Sequence, residues 1–273
     1  MEKTRVQLGE GVYLTYLPAV KFKTNYLSAQ FIAPLRRETA ALNALLPPVL
    51  RRGTAALPDL ARMEAHLDML YGASVSASVR KMGEAQTFGF LGSIIDDACA
   101  LDGKPLLEPL AALLGDLVCH PALEDGGLVP AYVEGERAIQ IDAIRSVINE
   151  KRAYANKRLL EEMCDEEPFG LSHIGEEDTA SAITPSILTS HYRRQLAKSP
   201  LELFYCGKGE LPRVQDALAA AFADLPREDV APIGPITRRP ARSTPKIVTE
   251  ALDVTQGKLG LGFRISVEDD AAN

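Results

Sequence analysis

The sequence predicts an α+β domain, with helices packed on one face of a largely antiparallel sheet. Two observations carry this. Several short runs alternate apolar and polar residues at the period of a half-buried strand. Between them lie apolar stretches of helical period, rich in Leu and Ala, some bounded by Pro and Gly as helices often are. The order along the chain is strands, a helix, two strands, several helices, a strand and a helix.

Val6 and Leu8, then Val12, Leu14 and Tyr16, flank Gly9-Glu10-Gly11, the pattern of a hairpin. Leu27, Ala29, Phe31 and Ala33 alternate with polar residues and predict a third strand. A helix over 59–71 follows Pro58 and stops before Gly72. Residues 74–80 alternate cleanly, and with a strand at 87–91 they predict an antiparallel pair across Met82-Gly83-Glu84. Helices are expected over 105–119 and, from Ile141, Ile144, Ile148, Ala155, Leu159 and Met163, over 128–163 as one long or broken rod. A helix at 185–196, a strand at 201–206 and a helix at 211–222 complete the series.

The 273 residues, 46% hydrophobic and 25% charged, suit a globular chain with a substantial core. The expected division is a repeat over 1–230, a Pro-rich linker over 231–245, and opening strands of a second, truncated repeat over 246–273. Leu259, Leu261, Phe263, Ile265 and Val267 alternate strictly, which predicts a strand with one buried face. A lone strand pair cannot form a domain, so a longer native polypeptide is expected. A net charge of -7 argues against nucleic-acid or anionic-membrane partners, and Arg36-Arg37, Arg51-Arg52 and Arg238-Arg239 are scattered pairs. No run reaches membrane-spanning length, and Met1-Glu2-Lys3-Thr4-Arg5 is unlike a signal peptide, so a cytoplasmic location is expected. Cys99, Cys119, Cys164 and Cys206 lie far apart and are expected reduced and at least partly buried.

A set of landmarks resembles the insulinase-like (pitrilysin-family) zinc metallopeptidases. Leu50-Arg51-Arg52-Gly53-Thr54 resembles the end of that family's motif helix, and Leu70-Tyr71-Gly72-Ala73 its glycine before an alternating strand. Glu167-Pro168-Phe169-Gly170, with Ile174-Gly175, resembles its P-x-G…G loop. Ile183-Thr184 to His191-Tyr192, then Phe204-Tyr205-Cys206-Gly207, resembles its closing helix and strand. The resemblance covers about residues 1–225 and implies a LuxS/MPP-like metallohydrolase fold.

Active members carry H-x-x-E-H, two zinc-binding histidines and a glutamate that polarises water. Counted back from Gly53-Thr54, those places fall on Ala44, Pro47 and Pro48, and no His occurs before His66. Neither alanine nor proline can ligate a metal, and Pro47-Pro48 is expected to break or kink the helix. Glu134, Glu136 and Glu150 are candidates for the third ligand, but a lone carboxylate does not hold zinc. The expectation is therefore no catalytic residue, no metal and no cofactor.

The remaining candidates are weaker. His66 sits between Glu64 and Asp68 at offsets that do not converge on a metal. His173 and Glu176 are spaced i, i+3 in an expected loop, and His120 and His191 lack a ligand pattern. Gly207-Lys208-Gly209 has the place of a phosphate cradle without its full motif and is expected to be a turn. Ser74, Ser76 and Ser78 are expected to face solvent. What the resemblance implies is a pseudo-peptidase subunit that pairs with a zinc-bearing homologue around a peptide or unfolded polypeptide. A zinc peptidase with rearranged ligands and a structural scaffold are the alternatives.

Overall fold

Gly11 takes a left-handed φ of 61° and reverses the chain between β1 (Thr4–Gly9) and β2 (Val12–Pro18). A computed structural model gives the structure, and it describes residues 3–230, 232–234, 239–240, 243–253 and 255–264. The remaining strands are β3 (Thr24–Pro34), β4 (Ser74–Met82), β5 (Ala85–Ile95), the two-residue pair β6 (Leu123–Glu124) and β7 (Gly127–Leu128), and β8 (Leu201–Gly207). The main sheet runs β1-β2-β8-β3-β5-β4. Only β2 against β8 is parallel; β8 inserts between the early strands, a long-range pairing that local pattern does not reveal.

Eight helices accompany the sheet among the described residues: α1 (Arg37–Leu50), α2 (Leu60–Met69), α3 (Leu107–Cys119), α4 (Pro130–Ser146), α5 (Lys151–Met163), α6 (Glu177–Ser181), α7 (Pro185–Lys198) and α8 (Leu211–Ala221). Leu27, Ala29, Phe31 and Ala33 of β3 share a face and are buried in the core with Phe88 and Phe90 of β5. Leu45 and Leu46 of α1, Leu110 and Leu114 of α3, and Leu218 of α8 cover them. This burial holds the domain together, at roughly 25 cal/mol per Å² of apolar surface removed from water.

The α+β class and most element boundaries agree with the expectation to within a few residues. The stretch 128–163 is broken, as α4 and α5 are separated by a 3₁₀ turn at Val147–Asn149. Pro47 and Pro48 leave α1 helical as far as Leu50, and the helix ends there, within one turn of them. One expectation fails. The apolar alternation near the C-terminus is not a strand over its described residues: Leu259, Leu261 and Phe263 are 84%, 70% and 84% exposed. Their glycine neighbours turn inward, with Gly260 and Gly262 against Leu159 and Met163 of α5. Ile265 and Val267 lie outside the described residues.

The longest pairing joins β3 and β5 over eleven residues each, and Gly89 sits opposite Gln30 at its centre. A Cβ at Gly89 would run into the Ala29 carbonyl oxygen. Gly89→Ala is therefore expected to cost about 3 kcal/mol by overpacking. The midpoint of urea unfolding should fall while its slope is unchanged. A wild-type midpoint would contradict the close approach of these strands.

Candidate functional site

Helix α1 lies on the sheet with nine of its residues buried, including Asn43, Ala44 and Pro47. Proline has no N–H, so Pro47 and Pro48 cannot donate to the carbonyls of Asn43 and Ala44. Such prolines cost a helix interior about 3 kcal/mol each, so α1 depends on packing and on bonds from outside. Gly53 and Thr54 then turn the chain: the Thr54 hydroxyl accepts from Leu57 N at 3.0 Å, and a Cβ on Gly53 would strike the Pro58 carbonyl.

Those outside bonds form one directed chain. Arg194 of α7 donates to His191 Nδ1 at 2.8 Å, which leaves the His191 Nε2 proton for Asn43 Oδ1 at 2.6 Å. Asn43 Nδ2 donates to Gln86 Oε1 of β5 at 2.9 Å. Gln86 Nε2 donates to the carbonyls of Ala40 at 2.9 Å and His173 at 2.6 Å. From α4, Gln140 Nε2 donates to the carbonyls of Ala41 at 3.1 Å and Ile174 at 2.8 Å. Burial holds the His191 imidazole at about 3, and the Arg194 charge pushes the same way. The site is thus a buried amide–imidazole network with a neutral histidine. Sequence spacing missed it because its members come from α1, β5, α4 and α7.

The candidate ligands do not come together. Ala44 and Pro47 are buried in the α1 packing. Glu134 is exposed, Glu136 faces Arg52 at 3.4 Å, and Glu150 caps α5 by accepting from the backbone of Arg152 and Ala153. Among the described residues no group of three His, Cys, Asp or Glu side chains is placed to hold a metal ion. His66 is half-buried on α2. His173 lies in the loop after α5, and burial lowers its pKa. His120 contacts Asp116 at 3.2 Å and Asp224 at 3.1 Å at the surface.

The Gly207-Lys208-Gly209 turn has no free cradle: Lys208 N donates to Asn25 Oδ1, Gly209 N donates to the Tyr205 hydroxyl, and Glu210 opens α8. Ser74 and Ser76 are exposed as expected, but Ser78 is buried. Cys99 is exposed, against the expectation of at least partial burial, and the four cysteines are free thiols.

No protein-family model matches the chain. It is 37% identical over 249 residues to a protein of Bacillus subtilis (strain 168) called "Probable inactive metalloprotease YmfF". That match covers 90% of this chain and 58% of the relative, so the chain spans well under two thirds of its length. A conserved protein from Enterococcus faecalis V583 has the same fold, with TM-score 0.81, 23% identity, and coverage of 89% of this chain and 56% of that one. A peptidase M16 inactive domain from Pseudomonas fluorescens aligns with TM-score 0.67 and 14% identity over 87% of this chain and 54% of that one.

By this similarity the chain is a homologue of a protein called a probable inactive metalloprotease, and it has the fold of a peptidase M16 inactive domain. Its α1, the helix that ends just before Gly53-Thr54, carries no H-x-x-E-H. The glycines of the Gly-Thr, Tyr-Gly and Pro-x-Gly landmarks sit where the backbone is tight or left-handed. Tyr71 and Gly72 have φ of 57° and 69°, and a Cβ at Gly170 would meet the Cys164 carbonyl.

The network ties stability to acid. The unfolded histidine titrates near 6.5 while the native His191 resists protonation until about 3. The unfolded state therefore binds more protons below pH 6.5, and stability should fall as pH drops from about 6.5 toward 3, by about 1 kcal/mol per unit. His191→Gln should flatten this dependence relative to wild type in chemical unfolding from pH 7 to 4. Asn43→Ala, which strips partners from His191 and Gln86, should cost about 2–3 kcal/mol at pH 7. An unchanged pH slope in His191→Gln would contradict a neutral buried imidazole.

Proposed function

We propose that this chain is a non-catalytic peptidase homologue that pairs with a zinc-bearing relative and supplies one wall of a peptide-processing chamber. The observation that carries this is α1: it is a 14-residue helix with nine residues buried, and the H-x-x-E-H places counted back from Gly53-Thr54 hold Ala44, Pro47 and Pro48. A fold retained without its metal site has shape left to contribute, and its relative's own name calls that protein inactive.

Two further features support it. β4 is an outer strand of the sheet, so an extended polypeptide can add there through main-chain hydrogen bonds, which need no metal. The segment after residue 245 runs along α5, held by Lys246 to Glu162 at 2.7 Å, Glu250 to Arg158 at 2.6 Å and Arg264 to Glu167 at 2.7 Å. It presents Leu259, Leu261 and Phe263 outward. In this reading residues 246–273 open a second repeat or dock on the partner, and exposed apolar side chains are what such docking covers. No helix among the described residues is long and apolar enough to cross a membrane, and the free thiols suit the reducing cytoplasm in which we place the protein.

Co-expression with a homologue that carries H-x-x-E-H tests the pairing. A stable complex is expected, with peptidase activity that drops when this chain is omitted. Phe263→Asp with Leu261→Asp should weaken the complex while leaving thermal unfolding of the isolated chain unchanged. Absence of co-purification, together with no effect on the homologue's activity, would overturn the pairing and leave a scaffold.

A further inference from the structure

Residues 168–175 lie across the candidate site, and their main-chain carbonyls are held by side chains from three elements. Lys81 Nζ of β4 donates to Phe169 O at 2.7 Å and Leu171 O at 3.1 Å. Gln86 of β5 takes His173 O, and Gln140 of α4 takes Ile174 O. Lys81 also lies 4.6 Å from the centre of the Phe169 ring. Gly175, at a φ of 76°, closes the segment onto α1 so tightly that a Cβ would collide with Ala41.

All four bonds run in one direction, from side-chain donor to main-chain carbonyl. Gln140 Oε1, by contrast, is buried with no hydrogen-bond partner. A side-chain amide that meets a peptide group in full both donates and accepts. A buried acceptor left unmade is costly, so this one is unlike most of the chain's interior. The segment fills the donors around it and leaves this acceptor unmatched.

We infer that the donors Lys81 of β4, Gln86 of β5 and Gln140 of α4 form a recognition site for peptide main chain that the chain's own residues 168–175 now fill. This rests on the peptide-chamber reading above, and it names the contacts. Lys81, Gln86 and Gln140 hold carbonyls of a bound polypeptide, and Gln140 Oε1 takes one of its N–H groups. The chain's segment competes for the same donors, so a ligand binds in proportion to the fraction of molecules in which the segment is lifted. The site lies beside the outer strand β4, so a polypeptide added to that edge is close to these donors.

The test uses this chain alone, so its outcome is separable from partner binding. The probe is a fluorescent synthetic peptide with the sequence of residues 167–176, with a scrambled peptide as control. Gly175→Ala should lift the segment, speeding amide hydrogen exchange at 168–175, and tighten probe binding about tenfold, as expected when a closed state populated roughly nine times in ten is removed. Adding Gln140→Leu to that variant should return binding to the wild-type level. If Gly175→Ala does not fold, Phe169→Ala removes the ring packed on the Lys81 ammonium while leaving every donor in place, and it should shift exchange and binding the same way, by about threefold. Faster exchange at 168–175 with no gain in binding, or equal gain for the scrambled peptide, would overturn the site and make the segment purely structural. Unchanged exchange in both variants would overturn the latch.

Discussion

Two consecutive prolines inside α1 impose the constraint on which the rest of the site depends. Pro47 and Pro48 remove two rungs of the helix's ladder, at a cost comparable to a large fraction of a domain's net stability. The helix survives because the sheet and the surrounding helices determine its place. Leu45, Leu46, Val49 and Leu50 are buried in the core, and the buried Pro47 lines a small apolar cavity with Phe31, Phe88, Phe90 and Leu196. Asn43, one turn earlier, is fully buried and pinned from two sides by Gln86 and His191. Neutral amides and an uncharged imidazole join α1 to β5 and α7.

A neutral network suits this place for an electrostatic reason. A charge buried without a partner is far costlier than a polar group that finds its hydrogen bonds. Every donor from Arg194 to Gln86 points the same way along the chain, so only one orientation satisfies all of them, and buried networks of this kind fix a unique arrangement. The same elements carry the residues of the proposed peptide site. β5 supplies Gln86, α4 supplies Gln140, and β4 supplies both the outer edge and Lys81. The core thereby sets the geometry of a surface that needs no catalytic group of its own.

Much of the fold was legible in the sequence, because strand alternation and Pro or Gly boundaries are local signals. The expectation of no zinc ligands rests on the sequence alone, on the count back from Gly53-Thr54 to Ala44, Pro47 and Pro48. The fate of the prolines was not legible: local sequence reports the lost hydrogen bonds, whereas tertiary burial decided the outcome. The alternation at 259–263 was read as a buried apolar face, yet the glycines between those residues allow the backbone itself to approach α5, which reverses the sides. The Asn43–His191 contact joins residues 148 apart in the chain, and a lone buried histidine leaves no spacing pattern to find.

The central proposal is that α1 is tied to its neighbours by a network that uses no metal. Zinc content and zinc titration of the purified chain at neutral pH test it most directly, by elemental analysis and calorimetry. The account predicts no stoichiometric zinc after purification and no saturable tight binding on titration, in wild type and in Asn43→Ala alike. About one zinc per chain, removed by chelator with the loss of an associated peptidase activity, would contradict it.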